Sequence, residues 1–228
     1  LCFTHGLLSL DEAAQVQLIS RCWDQAVRET QQARWLAPQV FERERARALR
    51  TVAKVLELER LRPDFTVEHS EAATTWQGAG ARVSLRIDRI DRVGTEALLI
   101  DYKSGSTRPV QLHNDVLQPL QLALYAAALA QQGRAVNAAA LLDLNPGEPK
   151  FLGVGGNKGI LPLGLREVDD WARAGDSWQQ QLVALMQQHL SGDATLTRDP
   201  AACKSCHLPA LCRKTGEEVE DDDMAVPE

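Results

Sequence analysis

Several features that would classify a chain of 228 residues at once are missing here. No apolar run approaches the roughly 20 residues needed to cross a bilayer, so no membrane association is expected. The opening residues do not have the basic-then-apolar layout of a secretory leader. No internal repeat is visible. There is also no basic surplus: 25 Lys and Arg stand against 31 Asp and Glu, a net charge of −6. Proteins that grip nucleic acid need Lys and Arg for the phosphates, so total charge speaks against that class. Its distribution softens the objection. Glu217, Glu218, Glu220, Asp221, Asp222 and Asp223 form an acidic tail that reads as disordered. Arg43, Arg45, Arg47, Arg50, Lys54, Arg60 and Arg62 crowd a single helical segment. That segment either tracks a phosphate backbone or is a solvated face balanced by Glu42, Glu44, Glu57 and Glu59. Hydrophobic content of 44% and charge of 25% fit a soluble globular protein able to bury a substantial core.

Periodicity predicts a helix over 10–30, with Asp11 and Glu12 suited to its start, and a second over 38–61 closed by Pro63. Strands are expected over 65–71, 83–93 and 97–103, followed by a loop over 104–114. A helix over 116–132 would hold Pro119 in its first turn and Gly133 near its end. A strand over 137–144 precedes an irregular Gly- and Pro-rich stretch, with a short strand near 151–154. A long polar helix over 167–190 carries Trp171 and Trp178. The expected division is a helical lead-in at 1–62, a core at 63–165, a C-terminal helix and cysteine segment at 166–214, and the tail at 215–228.

The chemistry concentrates in Arg86-Ile-Asp88-Arg-Ile-Asp91 and Leu99-Ile-Asp101-Tyr-Lys103-Ser-Gly105. Gly94-Thr95 can form a two-residue hairpin turn with glycine at its first central position. Val93 then faces Glu96, and counting outward Asp88 faces Asp101. Strand alternation puts Lys103 on the face of Asp101 and Asp91 on the opposite face from Asp88. Two opposed carboxylates repel, and a divalent cation is the obvious compensation. Carboxylate oxygens suit Mg²⁺ or Mn²⁺. The lysine ammonium can orient an attacking water or balance charge on a phosphate. The bland alternative is a half-exposed hairpin with a surface salt bridge, but the apolar run 97–100 argues for a buried strand.

These motifs, together with Gln121-Leu-Ala-Leu-Tyr125, resemble the signature of RecB-family nucleases in the PD-(D/E)XK superfamily, and within it the nuclease domain of AddB-like DNA-repair proteins. The resemblance covers roughly residues 63–144. It implies an α/β restriction-endonuclease-like fold, a mixed β-sheet flanked by helices. It implies metal binding by Asp88 and Asp101, a catalytic Lys103, and a trailing helical motif of Gln121 and Tyr125, which are four apart and share a helix face. It also implies an acidic residue on the strand before the hairpin. Glu71 is preferred to Glu68 there, either near the metal or in a structural salt bridge with an arginine such as Arg86.

Cys203-x2-Cys206-x5-Cys212 is similar to the C-terminal cysteine group of the iron–sulfur members of this family. Thiolates bind iron–sulfur clusters and zinc, and clustered cysteines in a reducing cytoplasm mark metal more often than disulfides. A [4Fe-4S] cluster is the expectation. Zinc completed by His207, and free thiols, remain as alternatives. The fourth cysteine is not identified, since neither Cys2 nor Cys22 sits in the expected context. The Gly-x-x-x-His that the family places on a leading helix is absent too, with only His5 nearby. Both gaps would be explained if the chain were a C-terminal piece of a longer polypeptide, weak or inactive by itself. The functional expectation is a cytoplasmic, Mg²⁺- or Mn²⁺-dependent DNA nuclease domain of a repair or recombination protein. It would act on single-stranded ends beside a helicase or helicase-like subunit. The alternatives are a catalytically silent DNA-binding or scaffold domain and a zinc-stabilised interaction module.

Overall fold

A computed structural model describes residues 7–30, 37–105, 111–113, 116–145, 148–161 and 164–193. The chain divides into two units, Leu1–Met186 and Gln187–Glu228. The described part of the second unit is a helix end, where Gly192 takes a positive φ of 73° and Asp193 N–H donates to the Gln188 carbonyl.

The first unit opens with α1 (Glu12–Thr30), whose first turn is capped by the Asp11 carboxylate accepting from Ala14 N–H at 2.8 Å. Next comes α2 (Pro38–Glu59), with proline in its opening turn. Then follow β1 (Thr66–Gly78), β2 (Ala81–Val93), β3 (Glu96–Lys103), β4 (Gln111–His113), β5 (Val116–Gln118), α3 (Leu120–Gln131), β6 (Ala138–Asp143), β7 (Lys150–Gly155), β8 (Leu165–Glu167) and α4 (Trp171–Leu190). Six strands form one mixed sheet in the order β1-β2-β3-β6-β7-β8, while β4 and β5 pair separately. The β3–β6 and β7–β8 pairs are parallel and the others antiparallel. This is the α/β restriction-endonuclease-like arrangement expected from the sequence.

The central strands explain the layering. Every residue of β6 and residues 98–101 of β3 are buried, as in a sheet covered on both faces. Ile90, Leu99, Ala139 and Val154 line one face and pack against Leu122, Ala126 and Leu129 of α3 and Trp178 of α4. Leu98, Ile100, Ala140 and Leu142 line the other and pack against Val55 of α2. No helix among the described residues is long and apolar enough to cross a membrane.

Several expected boundaries move, each for a local reason. The first strand runs to Gly78 instead of ending near 71, because Ala79 and Gly80 both take positive φ (51° and 79°) and close a tight hairpin back into β2. Trp76, 1% exposed, anchors that extension under the helices. The helix expected from 116 starts at Leu120. Pro119 is its extended N-cap, and a residue before proline is pushed out of the helical region, so Val116–Gln118 forms a strand instead. The long C-terminal helix begins at Trp171 and not at 167, after Asp170 accepts from Arg173 N–H at 3.0 Å. The three-residue β8 and β4 are too short to leave a periodic signal.

Behind the sheet, on the α2 side, four charged side chains are buried together. Arg89 Nε and Nη2 reach the two oxygens of Asp91 at 2.6 and 2.8 Å, a bidentate pair. Arg89 Nη1 donates to Glu59 at 2.7 Å and to the Tyr102 hydroxyl at 3.2 Å. Arg62 pairs with Glu59 at 2.5 Å and with Asp91 at 2.8 Å, and its guanidinium lies 3.9 Å from the Phe65 ring centroid. Burial alone would disfavour the Arg89 charge, but Tyr102, Asp91 and Glu59 outweigh it and its pKa is raised overall. The set is neutral, two cations against two anions. It ties α2 and the residues after it to β2 and β3.

Removing one partner from such a set leaves an uncompensated buried charge, which costs about 3–5 kcal/mol. Asp91→Ala is expected to lower the stability read from urea unfolding by that order, since it leaves two buried arginines sharing the single carboxylate of Glu59. An effect below about 1 kcal/mol would show that the cluster is not held as described.

Candidate active site

The hairpin that closes β2 onto β3 sets the register of the site. Gly94 carries a positive φ of 59°, Val93 pairs with Glu96, and the ladder continues to Arg89 opposite Ile100. The ladder stops there, and Asp88 and Asp101, the next residue on each strand, lie close enough for Asp88 to push the Asp101 pKa up. Alternation along β3 sends Asp101 and Lys103 to the α3 face and Tyr102 to the α2 face. On β2, Arg89 and Asp91 join the α2-side cluster while Asp88 lies near Asp101 and Tyr125. Asp91 therefore stands apart from Asp88 and is consumed by the two arginines.

On the α3 face the side chains connect in series. Lys103 Nζ lies 2.7 Å from Asp101 Oδ2 and donates to Gln121 Oε1 at 2.7 Å. Gln121 Nε2 donates to the Tyr125 hydroxyl at 2.6 Å, and that hydroxyl donates to the Arg86 carbonyl at 2.8 Å. Gln121 and Tyr125 are one helical turn apart on α3, so a single helix face orders both. Asp88 Oδ2 accepts from the backbone N–H of Tyr102 at 2.9 Å.

Asp101 is 1% exposed. Burial raises its pKa above the ordinary aspartate range. Lys103 pulls it down and Asp88 pushes it up, and the net shift is upward. The ammonium lies at ion-pair distance from Asp101 Oδ2, but no hydrogen bond of good geometry reaches that oxygen. Tyr125 is also raised, chiefly by burial, so its phenol remains a neutral donor.

Glu71 has a different partner. Its carboxylate meets Arg86 Nε at 2.9 Å, with both side chains mostly exposed, which is the structural pairing weighed in the sequence. It has a positive φ of 52°, unusual for a residue with a side chain. Of the basic helical segment, Arg45 is bound to Asp24 and Ser20, Arg47 to Glu44, Arg60 to Gln15, and Arg62 lies in the buried cluster. Those four are committed within the protein, and since Glu59 and Arg62 are buried, neither a phosphate-tracking face nor a solvated one describes the whole segment. Cys203, Cys206, Cys212 and His207 fall outside the described residues, as do His5 and the acidic tail. Cys22 is a free, half-buried thiol on α1. Two participants left no sequence signal, the Arg86 carbonyl and the Tyr102 N–H, because backbone groups are common to almost every residue.

The PD-(D/E)XK nuclease superfamily profile matches residues 3–213, nearly the whole chain. The chain belongs to that superfamily. No curated protein gives a significant match. Among solved structures, SSO0001 is similar at 13% identity over 85% of this chain and 79% of that one, with a TM-score of 0.35. A "Putative exonuclease" from Eubacterium rectale is similar at 13% identity over 92% of this chain and 74% of that one, with a TM-score of 0.44. Both scores are below 0.5 and add nothing to the family match.

Nucleases of the PD-(D/E)XK superfamily typically use Mg²⁺ or Mn²⁺. Among the described residues no group of three or more His, Cys, Asp or Glu side chains gathers to hold a metal ion. The donor set that is present still fits such an ion. Asp101 is a buried carboxylate without a full set of hydrogen bonds, and Asp88 stands close enough to raise its pKa. Mg²⁺ is commonly held by one or two carboxylates, with water and phosphate oxygens completing the shell.

The raised Asp101 carboxyl has a consequence for stability. A group whose folded pKa exceeds its unfolded value contributes stability below the unfolded pKa and loses it as pH rises through the folded one. Ionised Asp101 therefore weakens the metal-free fold at neutral pH. Asp101→Asn is expected to raise the melting temperature of metal-free protein at neutral pH. The gain should shrink as pH falls through the raised carboxyl range and vanish below the ordinary aspartate range, where the carboxyl is neutral in folded and unfolded chain alike. Scanning calorimetry across that range checks it, and a gain that persists at the acid end would contradict the assignment.

Proposed function

We propose that this PD-(D/E)XK domain is a Mg²⁺- or Mn²⁺-dependent deoxyribonuclease that hydrolyses phosphodiester bonds, with DNA repair or recombination as its setting. The observation that carries the reading is the connected set Asp88, Asp101, Lys103, Gln121 and Tyr125 on one face of the sheet. A functionless hairpin has no use for neighbouring carboxylates, one of them buried at a cost.

Asp88 and Asp101 are the residues that would hold the ion. When bound, the ion lowers the pKa of a coordinated water and offsets charge on the phosphate. Lys103 extends from the same strand face and presents its ammonium to the attacking water or to a phosphate oxygen. Gln121 holds that ammonium in place through its amide oxygen, and Tyr125 fixes the amide orientation by accepting from its nitrogen. The resemblance to AddB-like nucleases supports single-stranded DNA ends as substrate, a helicase or helicase-like subunit as partner, and a cytoplasmic location. On the same ground Cys203, Cys206 and Cys212 are assigned to an iron–sulfur cluster, with zinc as the alternative.

The decisive test is cleavage of labelled single- and double-stranded DNA with Mg²⁺, with Mn²⁺ and with chelator. Cleavage is expected only with metal. It should disappear in Asp101→Ala and fall by about a hundredfold or more in Lys103→Ala. Activity that survives chelation or Asp101→Ala would overturn the proposal. For the cysteine group, protein purified without oxygen is expected to carry iron and sulfide. Zinc in their place would remove the iron–sulfur assignment and retain a metal site.

A further inference from the structure

The β2–β3 ladder ends one step before the site. Its last pair is Arg89 with Ile100, so the segment from Asp101 to Lys103 has no backbone pairing to β2. On its other side that segment remains paired to β6, through Asp101 with Leu141, Tyr102 with Leu142 and Lys103 with Asp143. Two neighbouring residues of β2 replace the missing ladder, and both reach Tyr102. From the α3 face, Asp88 Oδ2 accepts from Tyr102 N–H at 2.9 Å. From the α2 face, Arg89 Nη1 donates to the Tyr102 hydroxyl at 3.2 Å. Arg89 is itself fixed by both oxygens of Asp91 and by Glu59. Tyr102 sits between Asp101 and Lys103 in sequence, so whatever holds it sets the placement of both.

We propose that Tyr102 and Arg89 are positioning residues, a clasp through the sheet by which the buried ion cluster holds Asp88, Asp101 and Lys103 in register for the metal. The inference rests on the reading that Asp88 and Asp101 bind the ion. Asp88 has two uses here, as a ligand through its carboxylate and as the near-face half of the clasp. The hydroxyl of Tyr102 contributes only to the far-face half, and removing it strands no charge, because Arg89 Nη1 keeps Glu59 at 2.7 Å. Tyr102→Phe is therefore the variant that separates positioning from folding.

The full chain is titrated with Mn²⁺ alone by calorimetry, alongside DNA cleavage kinetics. Tyr102→Phe is expected to bind Mn²⁺ about tenfold more weakly, the scale typical of groups that orient metal ligands. Its kcat should fall while KM for DNA stays unchanged. Its unfolding midpoint should barely move. Leu182→Ala on α4 serves as the control, since it opens a core cluster that contains neither Tyr102 nor Arg89. It should lower the midpoint and leave Mn²⁺ affinity alone. The inference is overturned if Tyr102→Phe binds Mn²⁺ like wild type, or if Leu182→Ala weakens binding as much. A wild-type chain that binds no Mn²⁺ would overturn the metal-site reading itself, and the inference with it. That result is distinguishable from failure of the clasp alone, in which both proteins bind equally well.

Discussion

Arg62, Arg89, Glu59 and Asp91 are removed from water together, and the rest of the domain is arranged around that fact. Their charges cancel, and each is met within hydrogen-bond distance by a partner of opposite sign. Such a group is costly to desolvate and adds little net stability compared with an apolar core of the same volume. What it supplies is geometry. Glu59 ends α2, Arg62 lies in the connection, Arg89 and Asp91 belong to β2, and Tyr102 belongs to β3. A small slide of any of these elements would break a short ionic contact in a medium of low polarity. An apolar contact would tolerate the same slide.

The two faces of the sheet thus divide the work within one stretch of sequence. In Asp88-Arg89-Ile90-Asp91, alternate residues go to opposite layers. Asp88 serves the candidate site, Ile90 the core beneath α3, and Arg89 and Asp91 the cluster beneath α2. On β3, Asp101 and Lys103 point one way and Tyr102 the other. A one-residue slip would exchange the two sets completely. Glycine at position 94, with its positive φ, fixes the turn from which that register is counted.

Much of this was readable from sequence because it follows from a period of two and a two-residue turn. The nearness of Asp88 to Asp101, the shared face of Lys103 and Asp101, the engagement of Asp91 elsewhere and the helix placing Gln121 beside Tyr125 all follow from counting, although the ladder stops before Asp88 and Asp101 could pair. The cluster was not legible. Glu59 and Arg62 looked like members of a charged helix, and nothing local separates a solvated arginine from one buried under Phe65. Their partners lie about thirty residues away, and only the folded sheet joins them. Val116–Gln118 was misread as helix because Leu-, Ala- and Gln-rich sequence continues smoothly across Pro119. The backbone constraint at that proline outweighed side-chain propensity. The roles of the Arg86 carbonyl and the Tyr102 N–H lie beyond any reading of side chains.

β1 is the terminal strand of the sheet. An edge of this length is open to pairing with another chain, the route by which β-proteins aggregate. Its first half carries two irregularities. Between Val67 and His69 the register shifts by one residue at Glu68, and Glu71 adopts a left-handed backbone. Each interrupts the row of outward N–H and C=O groups that a neighbouring strand would need. Glu68 and Glu71 add charge along the same stretch, held by Arg92, Arg134 and Arg86. At the opposite edge β8 is three residues long and offers little to dock on. A sheet whose faces are covered by helices is in this way guarded at its borders as well.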